Sequence, residues 1–214
     1  MEKLTMNQKI KSVIDDYNDI ASQYADDFYD DATDNVYIDK FLASLSGKLI
    51  LDAGCGVGED CKYVEQKGFK AIGIDFSKGM LDIARQKYPK GNFQLMDMST
   101  IKFPANTFDG IMSNYSLFHI PREQLKQVLS EFRRVLKEEG RILLILQEGT
   151  IEEMVDEPYR PGVKLYMNYF TIESISKIVK ENGLEIESYE RENTTSEFEL
   201  GESKLVVYAK RKVR

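Results

Sequence analysis

The run Leu49-Ile50-Leu51-Asp52-Ala53-Gly54-Cys55-Gly56-Val57-Gly58-Glu59-Asp60 constrains the rest of the chain more than any other stretch. A short apolar segment entering an acid and then three glycines on alternate positions predicts a buried parallel strand that leaves a sheet through a tight turn into a helix. Open α/β sheets bind their ligands at such turns. Glycine lets the backbone approach a ligand without a Cβ in the way, and the helix beyond presents unpaired N–H groups. A dinucleotide fingerprint needs the spacing G-x-G-x-x-G, whereas this turn reads G-x-G-x-G with Glu59 where the third glycine would stand. An acid there suits the helix dipole but repels a pyrophosphate. The turn is therefore predicted to take a ligand without phosphates.

The string LDAGCGVGED resembles the first motif of the class I S-adenosylmethionine-dependent methyltransferases, and GIDFSKGMLDIA resembles their second. FDGIMSNYSLFHIPREQLKQVLSEFRRVLKEEGRILLI is similar to that family over its whole length. The resemblance runs from about Ile10 to Lys210. It implies an α/β fold, a three-layer α-β-α Rossmann-like sandwich on a mostly parallel seven-stranded sheet of order 3-2-1-4-5-7-6, with the last strand antiparallel. Glu138-Glu139-Gly140 departs from the Pro-Gly-Gly turn common in the family, which touches loop shape only.

Length and composition fit that expectation. With 214 residues, the chain is read as a single domain over 1–214 with a full core. It has no apolar run of membrane-spanning length and no signal-peptide core, so no membrane partner is expected and a cytoplasmic location is the simplest reading. A formal net charge of −7 argues against nucleic acid as a partner. Cys55, Cys61 and a single histidine offer too few soft ligands for a zinc site, so no metal is expected and both thiols are read as reduced.

Apolar positions Ile10, Val13, Tyr17, Ile20 and Tyr24 recur at helical spacing ahead of the sheet. By the resemblance, an N-terminal helical segment over about 1–46, with Tyr17 and Tyr24, folds over the cofactor as a lid; the alternative is a solvated acidic face. Asp26, Asp27, Asp30 and Asp31 would then favour a cationic or amine-bearing substrate. Further helices are expected over about Val36–Leu45, Glu59–Lys67, Pro121–Leu136 and Thr171–Asn182. Strands are expected over Lys70–Asp75, Asn92–Asp97, Phe108–Tyr115, Ile142–Leu146, Glu185–Glu192 and Leu205–Lys210. Residues 147–170 are too long for a simple connection and are read as a substrate-loop insertion.

Strands ending in Asp52, Asp75 and Asp97 predict an acidic rim at one edge of the sheet. Asp75 stands where a carboxylate can accept both ribose hydroxyls, and Ser77 already fills the cap of the next helix. By the resemblance, Phe76 and Met80 pack near an adenine, Asp97 and the backbone of Met98 meet its edge, and the carbonyls of Gly54 and Asn114 face a methionine ammonium. The cofactor-binding set is thus Tyr24, Asp52, Gly54, Cys55, Gly56, Gly58, Asp75, Phe76, Met80, Asp97, Met98 and Asn114. Tyr17, His119, Arg160 and Tyr166 are candidates for the substrate side. His119, just past a strand end, is the one candidate general base, set against a role in bracing its loop.

The implied activity is in-line methyl transfer from S-adenosylmethionine to a small-molecule acceptor, leaving S-adenosylhomocysteine. The alternatives are a catalytically silent relative that keeps the pocket, and a nicotinamide-dependent oxidoreductase on a related sheet.

Overall fold

A computed structural model describes residues 5–193 and 203–212. Residues 1–4 of the expected lid and both ends of the expected 1–214 domain lie outside these. The seven-stranded sheet is built from β1 (Leu49–Ala53), β2 (Lys70–Asp75), β3 (Asn92–Leu95), β4 (Phe108–Asn114), β5 (Leu136–Gln147), β8 (Leu184–Asn193) and β9 (Ser203–Arg211). Its order is β3-β2-β1-β4-β5-β9-β8, with β9 antiparallel to both neighbours. This is the expected order once the strands of the insertion are set aside.

Helices α2 (Asn35–Ala43), α3 (Glu59–Gln66) and α4 (Lys78–Lys87) cover one face, and α5 (Arg122–Val135) and α6 (Ile172–Glu181) cover the other. Each half-buried helix sets an apolar stripe on the sheet: Leu125, Val128, Leu129 and Phe132 of α5 join Leu51, Ile111 and Leu144 in one core layer. Phe41, Val64 and Leu81 join Ile50, Met112 and Leu143 in the other. Because the chain crosses from β3 to β4 on the far side of β1, neighbouring β1 and β4 diverge at their carboxyl ends, and a crevice opens there.

Three departures from the sequence reading matter. The first helix, α1, runs Met6–Phe28, longer at both ends than the periodic positions indicate. A capping box between Thr5 and Gln8 starts it. The fifth strand starts at Leu136, not after Gly140, because Leu136 pairs with Phe108 before a bulge resets the register to Gly110 and Arg141. The insertion is not an open loop: β6 (Glu152–Asp156) and β7 (Lys164–Asn168) form an antiparallel hairpin that packs beside α1. No helix among the described residues is long and apolar enough to cross a membrane.

Candidate functional site

The glycine turn after β1 uses left-handed backbone at Gly54 (φ +87°), Gly56 (φ +50°) and Gly58 (φ +84°). A Cβ on Gly54 would fall inside van der Waals contact with Ser116 Cβ, and one on Gly58 would lie 2.6 Å from the Phe93 ring. Gly58 thus provides the tight helix–strand packing that the dinucleotide fingerprint assigns to a later glycine. The N–H groups of Gly54 and Cys55 both donate to the Ile74 carbonyl, at 2.8 and 3.1 Å, fastening the turn to β2.

That fastening brings Gly56 over the end of β2, where its N–H donates to Asp75 Oδ2 at 3.0 Å. The Ser77 N–H holds Oδ1 at 2.7 Å. Each oxygen keeps a further lone pair for a ligand. Burial pushes the Asp75 carboxyl up to about 6, against those backbone hydrogen bonds. Asp52 is 2% exposed and accepts from the Cys61 thiol at 3.3 Å. Burial, with Asp60 beside it, raises its pKa well above the usual carboxylate range.

The first turn of α3 adds two more carboxyls. Asp60, pushed up to about 6 by burial, accepts from Asn114 Nδ2 at 2.7 Å. Burial raises Glu59 as well. Glu59 Oε2 and Asn114 Oδ1 are buried with no hydrogen-bond partner among the described residues. Together with Asp31 and Asp34 these groups line an inner chamber of about 120 Å³ at the β1/β4 crevice. Among the described residues, six carboxyls face it and no lysine or arginine lines it.

Helix α1 roofs the chamber. Asn18 Oδ1 accepts from Gly79 N–H at 2.7 Å and from Ser77 Oγ at 3.0 Å, and only the bare Cα of Gly79 lets the two helices approach this closely. Tyr17 and Tyr24, ring centroids 6.1 Å apart, line both the inner chamber and a contiguous outer one of about 220 Å³. Phe118, Tyr159, Gln147, Glu157 and Lys204 extend the outer wall.

His119 sits where the two chambers join and is 4% exposed. Its Nδ1 lies 3.1 Å from the Tyr166 carbonyl oxygen, which can only accept, so the ring proton is on Nδ1. Nε2 is then an acceptor, and the Tyr17 hydroxyl donates to it at 2.8 Å. Burial pushes the imidazole down to about 4, so it is neutral at physiological pH.

Of the residues expected here, Tyr17, Tyr24, Asp52, Gly54, Cys55, Gly56, Asp75, Phe76, Met80, Asn114 and His119 line the inner chamber. Asp97, Met98, Gly58, Arg160 and Tyr166 are not among the residues that line it. Asp97 is exposed two residues beyond β3, its carboxylate taken by the Ser99 N–H at 2.7 Å, and Met98 is buried in the core. Of the three strand-end acids, Asp52 and Asp75 line the chamber, joined there by Glu59 and Asp60 of α3. Gly58 is buried beneath the turn. Arg160 pairs with Asp16 at 3.1 Å and Asp19 at 3.0 Å, tying the insertion to α1. The Tyr166 hydroxyl donates to Glu152. In the acidic run, Asp27 accepts from Tyr159 at 2.7 Å and Asp30 pairs with Lys62 at 3.5 Å; only Asp31 of the four reaches the chambers.

Sequence reasoning missed Asp34, Asp60, Tyr115, Gln147 and Glu157 as chamber residues, and it took Glu59 only as an obstacle to phosphate. Glu59 and Asp60 follow the last glycine directly, and that adjacency was the available signal. Asp34 and Glu157 lie on connections whose path no periodicity reveals.

Comparison with known proteins gives a consistent result. A family model described as a methyltransferase domain matches residues 50–140. An uncharacterized methyltransferase of Alkaliphilus oremlandii is 33% identical over 146 residues, covering 60% of this chain and 66% of that protein. The malonyl-[acyl-carrier protein] O-methyltransferase of Yersinia pestis is 36% identical over 110 residues, covering 51% of this chain and 40% of that protein. The chain spans between 40% and 66% of the length of curated relatives such as these. Among solved structures, the Burkholderia thailandensis 1,6-didemethyltoxoflavin-N1-methyltransferase, with 1,6-didemethyltoxoflavin and S-adenosylhomocysteine bound, superposes with a TM-score of 0.79 at 18% identity, covering 100% of this chain and 93% of that one. That likeness is one of fold.

Proposed function

Because this chain belongs to the class I S-adenosylmethionine-dependent methyltransferases, we propose that it binds S-adenosylmethionine in the inner chamber and transfers its methyl group to a small molecule in the outer one. One observation carries the reading: among the described residues, six carboxyls and no lysine or arginine line a chamber at the sheet's switch point. A sulfonium and an ammonium on a phosphate-free nucleoside answer that charge, whereas a diphosphate would meet only repulsion.

The residues present fit this cofactor. Asp75, its oxygens pre-aimed by Gly56 and Ser77, has lone pairs left for two ribose hydroxyls. Phe76 and Met80 supply apolar wall for a base. The orphaned Glu59 Oε2 and Asn114 Oδ1 are acceptors awaiting a donor, as an ammonium provides. Tyr24 closes the chamber from above.

Bound there, the cofactor supplies an activated methyl group with a neutral leaving group. The chain's own task is to align an acceptor and exclude water, and orientation of that kind can supply about 7–11 kcal/mol in favourable cases. Tyr17 and His119, between the two chambers, steady the acceptor side. His119 near 4 is a weak base and is assigned a bracing role, holding Tyr17 with its oxygen lone pairs open to the chamber.

Calorimetry with S-adenosylhomocysteine tests this reading. A one-to-one complex is expected, together with no heat from NAD or NADP; tighter binding of a pyridine nucleotide than of S-adenosylhomocysteine would reverse the assignment.

A further inference from the structure

We infer that the methyl acceptor is a small amine, seated in the outer chamber with its nitrogen toward Glu157; this rests on the cofactor reading of the inner chamber. Glu157 is 4% exposed, lines the outer chamber, and has an oxygen, Oε2, with no hydrogen-bond partner among the described residues. Gln147, 3% exposed on the same wall, has an equally unpartnered Oε1. A buried acceptor without a donor costs on the order of 1–3 kcal/mol, more when charged, so these two atoms mark where a donor-bearing ligand belongs.

The remaining wall agrees. The Tyr17 proton is committed to His119, so the hydroxyl shows the chamber only acceptor lone pairs. Among the described residues the one cation lining the wall, Lys204, is held by Asp34 at 2.7 Å and Glu192 at 3.4 Å, which leaves Asp31 and Glu157 as further negative groups facing the space. Tyr17, Tyr24, Phe28, Tyr115, Phe118 and Tyr159 present aromatic surface, which attracts cations at its faces.

The chemistry of transfer separates acceptor classes in such a chamber. An alcohol, phenol or thiol must become an anion to attack, and surrounding carboxylates oppose that. A carboxylate acceptor arrives as an anion and is repelled outright. An amine enters as its ammonium and passes one proton to the Glu157 carboxylate on the wall, and from there to solvent, which leaves a neutral nitrogen to attack. Its nitrogen lone pair then forms the N–C bond while the C–S pair returns to sulfur, so positive charge passes from sulfur to nitrogen. A carboxylate-lined, aromatic wall favours that movement of charge in the transition state.

The test uses the full chain saturated with S-adenosylhomocysteine, and repeats each titration without it. Butylamine is compared with 1-butanol and butyrate, and phenethylamine with 2-phenylethanol and 3-phenylpropionate, by calorimetry. At least one amine is expected to bind tenfold or more tighter than its alcohol, with no detectable binding of the acid. Glu157→Gln is expected to bring that amine's affinity to within threefold of the alcohol's while S-adenosylhomocysteine still binds. If neither amine exceeds its alcohol, if an acid binds as well as its amine, or if Glu157→Gln leaves the preference intact, the inference is overturned. Failure of S-adenosylhomocysteine itself to bind would instead overturn the cofactor reading, and the titrations without it still report on the amine.

Discussion

The Tyr17 hydroxyl donates to His119 Nε2 at 2.8 Å, joining a helix that precedes the sheet to the turn after β4, across 102 residues of chain. The Tyr166 carbonyl, accepting from Nδ1, sets the tautomer that makes Nε2 the acceptor, and the Tyr17 bond ties the roof of both chambers to their floor. His119 is the single histidine of the sequence, so its proton resonances need no assignment. Their titration is expected near pH 4. In Tyr17→Phe the bond that favours the neutral ring is gone; at about 1 kcal/mol it corresponds to an upward shift of roughly one unit.

The same ring makes stability depend on pH. An unfolded imidazole takes its proton below about 6.5, while the folded one stays neutral down to about 4. Between those values the unfolded state binds more protons, so this group's contribution falls as pH drops through the window, by about 3 kcal/mol in all. Denaturant melts at pH 7 and pH 4.5, for the native chain and for His119→Phe, measure it. A smaller loss on acidification is expected in the variant.

Asp75 pulls the other way. Its carboxyl titrates near 6 when folded, against an ordinary value of 3.8, so the folded state keeps a proton that the unfolded state releases. Stability from this group is present at low pH and is lost as pH rises through about 6, up to ~3 kcal/mol. Asp75→Asn removes that cost. Its amide NH2 cannot accept from either Gly56 N–H or Ser77 N–H, which offsets that gain, so the variant is expected to melt near the native temperature at pH 7.5 while its S-adenosylhomocysteine affinity falls about 30-fold, near 2 kcal/mol for lost charge-assisted hydrogen bonds. Equal affinity in calorimetry would remove Asp75 from the ribose.

What could be read in advance follows from how local each signal is. The strand Leu49–Ala53, its glycine turn and the acid closing Lys70–Asp75 are set by neighbouring residues, and all three lie at the crevice as read. The Ser77 cap is equally local, with Met80 N–H donating to its Oγ at 3.1 Å. Asp97 does not line the inner chamber, although a strand end sets its Cα at the same edge of the sheet, and its Oδ1 accepts from the Ser99 N–H at 2.7 Å. The position of Arg160 was not legible because its partners, Asp16 and Asp19, stand about 140 positions earlier on α1. Glu157 was invisible for the same reason: only the packing of the hairpin beside α1 turns it inward.

The glycines of the turn are not equivalent. Gly54→Ala forces a Cβ onto Ser116 at φ +87°, and Gly58→Ala forces one onto Phe93 at φ +84°. Backbone strain of about 1–2 kcal/mol adds in each case to the cost of overpacking, about 1–3 kcal/mol. Both variants are expected to lose several degrees of melting temperature. At Gly56 the Cβ meets nothing within 4 Å and φ is +50°, so only the strain remains. Gly56→Ala should therefore fold with a loss of about 1 kcal/mol, roughly 2–4 °C. Gly56 lines the chamber, so S-adenosylhomocysteine affinity should fall in this variant out of proportion to its stability.

The Arg160 clamp sets how firmly the roof is held. Asp16 is 1% exposed, its Oδ1 pairs with Arg160 at 3.1 Å, and its Oδ2 has no hydrogen-bond partner among the described residues. Removing Arg160 strands a buried carboxylate, a change that typically costs about 3–5 kcal/mol when the charge cannot reach water. Here the chain has a cheaper escape, because α1 can lift from the β6–β7 hairpin and hydrate Asp16. The cost should then appear as local opening instead of global unfolding. In Arg160→Ala, hydrogen exchange is expected to speed up along α1 and the hairpin while β1, β4 and β5 keep native protection. Asp16→Asn added to Arg160→Ala should restore much of the protection on α1, since a neutral amide can stay buried at lower cost. If exchange instead rises evenly over the sheet, the clamp belongs to the global fold and not to the roof.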